Sequence, residues 1–283
     1  MTGEHASETS EEAIGELSDD AIAGSWRIWQ RVRGHRYSLD DVATAWEAAQ
    51  VGAAMRPGGA RRVLDLGCGI GSVTLMLAYA LREARIVGIE AQAISIELAR
   101  RNVERNALGE RIALLHGDLR EVSLDGEERF ELVTGTPPYF DPAKSSPSTD
   151  AQRTHARIEM RGGIEEYLRA GARALAPGGR MVVCGDARRP DRVLAGGAAA
   201  GLVPIARRDV VPREGKSALF AIWTLAPKTS DETKIEIEER EALIARDAVG
   251  ARTEQAHALR RFFDLPVDES EAASPPQRER RAR

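Results

Sequence analysis

The sequence predicts an α/β fold, a doubly wound, mostly parallel seven-stranded sheet with an antiparallel terminal hairpin. Three observations carry this. Between residues 62 and 184, short apolar runs of strand length alternate with segments whose apolar residues have helical spacing. The first run turns through Gly67, Gly69 and Gly71 into a helix. Two β runs, 203–211 and 217–225, are joined by a link too short for a crossover helix, so they pair antiparallel.

Taken in order, the first twenty residues hold seven acids and no Lys or Arg. They read as a disordered acidic tail over 1–20, followed by one domain over 21–267. Trp26, Ile28, Trp29 and Val32 form a short strand or irregular segment. Ser38 or Asp40 caps a helix with Val42, Ala45, Trp46 and Ala49 on one face, and the Arg-Pro-Gly-Gly of 56–59 ends it. Strands follow at 62–66, 85–89, 112–116, 130–135 and 180–184, with helices at 72–82, 93–107, 163–175 and 191–200. Residues 140–158 break this rhythm and read as a functional loop or a disordered one. Beyond the hairpin come a strand-like run with Ile235 and Ile237 and a helix over 253–263. Ser274-Pro275-Pro276 and scattered charges mark 268–283 as a second disordered tail.

Composition narrows the function classes. The net charge is −4, so bulk electrostatics do not announce a nucleic-acid binder. The acidic tail leaves the remainder mildly basic at +3. No apolar run is long enough to span a membrane, and no secretory signal core is present. The two cysteines, Cys68 and Cys184, each close an apolar strand and read as buried, reduced thiols, with no metal site implied. A cytoplasmic protein is expected.

The glycine turn alone fits several nucleotide cofactors. A dinucleotide fingerprint needs its third glycine one place later, where Ser72 stands. Asp65, two residues before Gly67, would repel a pyrophosphate but suits the cationic methionine end of S-adenosylmethionine, directly or through water. Glu90 ends the second strand, placed to accept from both ribose hydroxyls. Asp118 follows the third and can accept from an adenine amino group, while the Leu119 N–H reaches the ring. All three acids fall just after consecutive strands, at the sheet edge where such folds bind ligands. With these residues, 60–226 resembles the class I S-adenosylmethionine-dependent methyltransferases.

Thr136-Pro137-Pro138-Tyr139 follows the fourth strand. The prolines remove two N–H donors, leaving turn carbonyls to accept from an amine, and Tyr139 offers a flat face to a base. The stretch resembles the Asn-Pro-Pro-Tyr motif of methyltransferases acting on amino groups of adenine or of glutamine side chains. That resemblance makes Thr136, Pro137, Pro138 and Tyr139 the catalytic set, with Thr136 also at the cofactor. Thr136 departs from the motif, since its hydroxyl accepts a hydrogen bond but is shorter than an Asn amide. The turn shifts to compensate, the acceptor differs from adenine, or activity is weakened or lost.

Two further stretches, residues 34–42 with Arg36-Tyr37-Ser38-Leu39-Asp40 and residues 243–254, look like the lead-in and C-terminal pieces of bacterial valine-tRNA adenine-N6 methyltransferases. This resemblance implies that Tyr37 and Ser38 cover the cofactor and that the acceptor is an exocyclic amine of tRNA adenine, which must leave its stack. The alternatives are a protein side chain or small metabolite as acceptor, and a cofactor-binding RNA module without turnover. Lys144, Arg153, His155, Arg157 and Arg161 in the long loop, with Arg188, Arg189 and Arg192, are candidate phosphate contacts.

Overall fold

The structure is a computed structural model that describes residues 14–122, 129–139, 150, 152, 159, 162–229 and 236–267. The chain order is β1 (Leu17–Ala23), β2 (Trp26–Arg31), α1 (Leu39–Ala54), β3 (Arg62–Leu66), α2 (Ser72–Ala80), β4 (Arg85–Glu90), α3 (Ala93–Arg105), β5 (Ile112–His116) and β6 (Phe130–Gly135). It continues with α4 (Ile164–Ala174), β7 (Leu175–Asp186), α5 (Pro190–Ala200), β8 (Leu202–Val211), β9 (Phe220–Pro227), β10 (Glu238–Ile244) and α6 (Glu254–Phe262).

Among the described residues, eight strands make one sheet in the order β10-β8-β9-β7-β6-β3-β4-β5. Every neighbouring pair is parallel except the two that involve β9. From β3 the chain steps outward to β4 and β5, then crosses back to lay β6 on the other side of β3. Such a reversal leaves a crevice at the carboxyl edge of the sheet. Leu66 is in register with Gly135, so the turns after β3 and β6 leave the sheet side by side.

Side-chain alternation along β3 feeds two cores. Val63 joins residues of α1, α2 and α3 on one face, while Leu64 and Leu66 join α4 and α5 on the other. Asp65 therefore shares the face of Val63 and meets α2 there.

Three features depart from the sequence expectations. Residues 17–20, placed in the acidic tail, open β1, which pairs antiparallel with β2. Their charges are matched: Arg27 and Arg105 reach Asp19 at 3.0 and 2.6 Å, and Arg36 reaches Asp20 at 2.9 Å. Residues 14–16 are described as well, with Ile14 buried in the core; 1–13 and 268–283 lie outside the described residues. The sheet gains an eighth strand, β10, parallel to β8 and starting just after Ile237. Glu47 of α1, 1% exposed, binds Arg208 at 2.8 Å and also Arg240, which joins α1 to β8 and β10. Finally, β7 starts five residues early, and a register break at the Gly178-Gly179 turn separates its first residue from Arg180.

Candidate active site

A cleft of about 870 Å³, counted to its open mouth, occupies the crevice between the β3 and β6 turns. Of the residues expected in the site, Gly67, Gly69, Glu90, Asp118, Leu119, Thr136 and Pro138 line it. His35, Asp41, Ser72 and Tyr167 line it as well. Among the described residues, its wall holds the carboxyl groups of Asp41, Glu90 and Asp118 and no Lys or Arg. The Glu90 and Asp118 carboxyls give the wall a sign that favours a cation such as a sulfonium or an ammonium over a pyrophosphate, and Asp41 adds to it only where it is ionised.

The glycine turn is shaped by two separate needs. Gly67 has φ +63°, and a Cβ there would lie 2.2 Å from the Tyr167 hydroxyl, so packing excludes every other residue. Gly69 has φ +57°, and a Cβ there would meet nothing within 4 Å. Because Gly69 lines the cleft, the added atom would stand in the space a ligand needs. The turn is then tied to β4. The Gly69 N–H donates to Glu90 Oε2 at 3.0 Å, and the Gln92 N–H donates to Oε1 at 2.7 Å. Glu90, 7% exposed, is thereby held in one orientation at the wall. Gly71, φ +88°, caps the N-terminus of α2 and sits outside the lining residues.

Asp65 lies beneath this turn and does not line the cleft. It is 1% exposed. Its oxygens accept from Thr74 Oγ1 at 2.6 Å and Thr134 Oγ1 at 3.0 Å, which ties β3 to α2 and β6. Burial pushes its carboxyl up to about 6. Asp118 is gripped by its neighbour: Arg120 donates from Nε and Nη2 at 2.9 and 2.6 Å and from its backbone N–H at 2.9 Å.

Tyr37 and Ser38 also stand behind the wall. Tyr37 donates its hydroxyl to the Ala21 carbonyl of β1 at 2.9 Å, and its N–H to Gln30 of β2 at 2.8 Å. Ser38 is the N-cap of α1. Its N–H donates to Asp41 Oδ2 at 2.9 Å, one half of a capping box.

That bond explains why Asp41 reaches the site. The box folds the third helical carboxyl back toward the helix start, and Asp41 Oδ1 ends 3.5 Å from Thr136 Oγ1. Burial first, then the charge of Asp40, pushes the Asp41 carboxyl up to about 8. The sequence signal for it was the Ser38-x-x-Asp41 spacing. Tyr167, buried against Gly67 and Gly135, carries no comparable signal. Of the catalytic turn, Thr136 and Pro138 face the cleft; Pro137 and Tyr139 are outside its lining. The Tyr139 ring lies beside Phe220, centroids 6.4 Å apart and tilted 27°, with its hydroxyl 3.4 Å from Asp40 Oδ2.

The basic residues expected near the site are compensated where they are described. Arg188 pairs with Asp186 at 2.8 Å, Arg189 with Asp191 at 3.0 Å, and Arg192 with both Glu159 and Glu165 at 2.5 Å. Phe140, Lys144, Arg153, His155, Arg157 and Arg161 lie outside the described residues. Gln152, 2% exposed, ties the long loop to the cleft rim. It accepts from the His35 N–H at 3.2 Å and donates to Ser95 Oγ at 3.1 Å. Cys68 and Cys184 are both buried free thiols.

Comparison with known proteins agrees with this geometry. The sequence model of the methyltransferase small domain matches residues 49–194, just over half of the chain. A tRNA1(Val) (adenine(37)-N6)-methyltransferase from Porphyromonas gingivalis is 37% identical over 123 residues, 42% of this chain and 48% of the relative. A protein of the same name from Yersinia pestis is 38% identical over 85 residues, 30% of this chain and 34% of the relative. The match thus spans about half the length of these relatives or less. Among solved structures, a predicted O-methyltransferase from Agrobacterium tumefaciens superimposes with a TM-score of 0.57 at 21% identity, covering 78% of this chain and 97% of that one. A protein from Listeria monocytogenes assigned to the class I S-adenosylmethionine-dependent methyltransferases gives 0.53 at 15% identity, covering 81% and 73%. The fold is that of the class I methyltransferases, whose cofactor is S-adenosylmethionine, and the chain belongs to the methyltransferase small domain family.

Proposed function

We propose that the chain transfers a methyl group from S-adenosylmethionine to an amine nitrogen, the exocyclic N6 of an adenine in tRNA. The observation that carries this reading is the shared cleft: the Thr136 turn lines the same acidic space as Gly69 and Glu90. Gly69 leaves the backbone open to the cofactor. Glu90, oriented by two N–H groups, accepts from the ribose hydroxyls. Asp118 and the Leu119 N–H address the adenine end. Asp65 braces the turn from below, and Tyr37 and Ser38 hold the lead-in segment that covers the site.

When bound, the cofactor would supply an electrophilic methyl on a positively charged sulfur: the N–C bond would form as the C–S bond breaks, the thioether S-adenosylhomocysteine would leave, and the proton released from nitrogen would pass to solvent water. The chain's part is orientation. Thr136 Oγ1 and the turn carbonyls hold the amine so that its lone pair points at the methyl. The adenine at position 37 is taken from the names of the two relatives.

The ion pairs of Arg188, Arg189 and Arg192 favour a second reading, a smaller acceptor such as a protein side chain or metabolite, because paired arginines hold phosphate weakly. Incubation with methyl-labelled S-adenosylmethionine and separate RNA, protein and small-molecule fractions decides between them. Label in RNA supports the tRNA reading, and label confined to the other fractions overturns it.

A further inference from the structure

We infer that Asp41 supplies a second amine-accepting oxygen beside the short Thr136 side chain, so that the two residues together do the work of the missing amide. The inference rests on the amine-acceptor reading above and names the residues that carry it out.

Four observations lead there. Asp41 lines the cleft beside Thr136 and Pro138. Its side chain is 6% exposed as a residue, yet one of its walls is the space in which an acceptor must sit. Its Oδ2 is fixed by the Ser38 N–H at 2.9 Å, which aims Oδ1 at Thr136 Oγ1, 3.5 Å away. An ionised carboxylate has about four lone-pair sites. Ser38 takes one on Oδ2 and Thr136 one on Oδ1, which leaves a site on Oδ1 for an amine hydrogen once the carboxyl, raised to about 8 by burial, is ionised.

An Asn amide offers one accepting oxygen on the far side of a planar group. Thr136 ends a bond sooner, and the Asp41 carboxyl reaches the same neighbourhood from α1. A carboxyl that only capped α1 would need no place on the cleft wall. Asp40, the adjacent acid, does not line the cleft; it accepts from the Ser38 hydroxyl and lies near the Tyr139 hydroxyl. Among the described residues, the charged or titratable groups facing Asp41 include Asp40 on its own helix, Tyr37 just before it, Asp65 of β3 and the Cys184 thiol of β7. None of these is a cation.

The test uses the full chain with Asp41→Ala, Asp41→Asn, and the double variant Asp41→Ala with Thr136→Asn. Three quantities are read for each: melting temperature, S-adenosylmethionine affinity by calorimetry, and kcat/KM for methyl transfer to tRNA adenine. Loss of one positioned hydrogen-bonding group costs about a hundredfold in kcat. Asp41→Ala is expected to lose that much in kcat with cofactor affinity changed less than about twofold. Asp41→Asn, which keeps an accepting oxygen and the cap, retains at least about a tenth of the parent rate. Thr136→Asn in the Asp41→Ala background recovers about tenfold or more. If Asp41→Ala is too unstable to assay, Asp41→Asn alone decides: a rate lowered in step with cofactor affinity overturns the inference. So does a fall of cofactor affinity in Asp41→Ala that matches its loss of rate, or an absence of rescue by Thr136→Asn. An active parent with an equally active Asp41→Ala overturns the role of Asp41 only. A parent that methylates no amine overturns the functional reading as well.

Discussion

The cleft has two halves built in different ways. The half proposed to hold the cofactor comes from the ends of consecutive strands: the glycine turn after β3, Glu90 at the end of β4 and Asp118 after β5. Its groups are held by backbone, as the Gly69 and Gln92 N–H groups hold Glu90. The acceptor half joins Thr136 after β6 to Asp41 on α1, 95 residues apart, through one long side-chain contact of 3.5 Å. A backbone-held half tolerates little change and serves one ligand. A half held by side chains can be retuned by single substitutions.

The comparison breaks most directly at Glu90. Glu90→Ala removes the acceptor of two N–H groups and, with it, the proposed ribose partner. A charge-assisted set of this size is worth about 3 kcal/mol, so calorimetry is expected to show S-adenosylmethionine binding weakened roughly a hundredfold. Binding unchanged within threefold would mean that the cofactor lies elsewhere.

Asp65 should behave differently, because it braces the half without touching its ligand. Asp65→Ala leaves the Thr74 and Thr134 hydroxyls without their acceptor, at about 2 kcal/mol. For a chain of this size that is a fall in melting temperature of roughly 4–8 °C. Cofactor affinity, measured well below the transition, is expected to fall less than in Glu90→Ala. The reverse order would put Asp65 at the ligand.

A smaller effect concerns pH. Burial raises the folded carboxyls of Asp65 to about 6 and Asp41 to about 8, from an ordinary 3.8. Folding then favours the protonated forms. Their contribution is full below about pH 4 and is lost as pH rises through about 6 for Asp65 and about 8 for Asp41. Denaturation of Asp65→Asn across pH should show a flatter decline between 4 and 6, and Asp41→Asn a flatter decline up to 8. Curves parallel to the parent would contradict these assignments.

The smallest effect is expected on the basic edge. Arg188 and Arg189 are each paired with an acid two residues away, and such exposed pairs hold little energy. Their alanine variants should change tRNA affinity by less than about threefold. A larger loss in a filter-binding titration would show that RNA phosphates displace Asp186 and Asp191.

How much of this was legible in the sequence follows the same division. The cofactor half was readable because strand, glycine turn and strand-end acids are local patterns whose geometry repeats three times along the chain. Even there, Asp65 was placed one layer too high: alternation along β3 turns it to the α2 face, where Thr74 waits. The acceptor half was readable only in its turn. Asp41 was hidden because its approach to Thr136 is a tertiary contact, although the Ser38-x-x-Asp41 spacing marked its direction. The β1–β2 hairpin was missed for an electrostatic reason. Asp19 and Asp20 resemble the acidic tail before them, and only folding brings Arg27, Arg36 and Arg105 to neutralise them.

The most direct test is nucleoside mass spectrometry of tRNA after incubation with S-adenosylmethionine and either the parent chain or Glu90→Ala. The parent is expected to raise N6-methyladenosine while Glu90→Ala leaves it near the level of untreated tRNA. No gain with the parent, or an equal gain with both, would contradict the placement of donor and acceptor in this cleft.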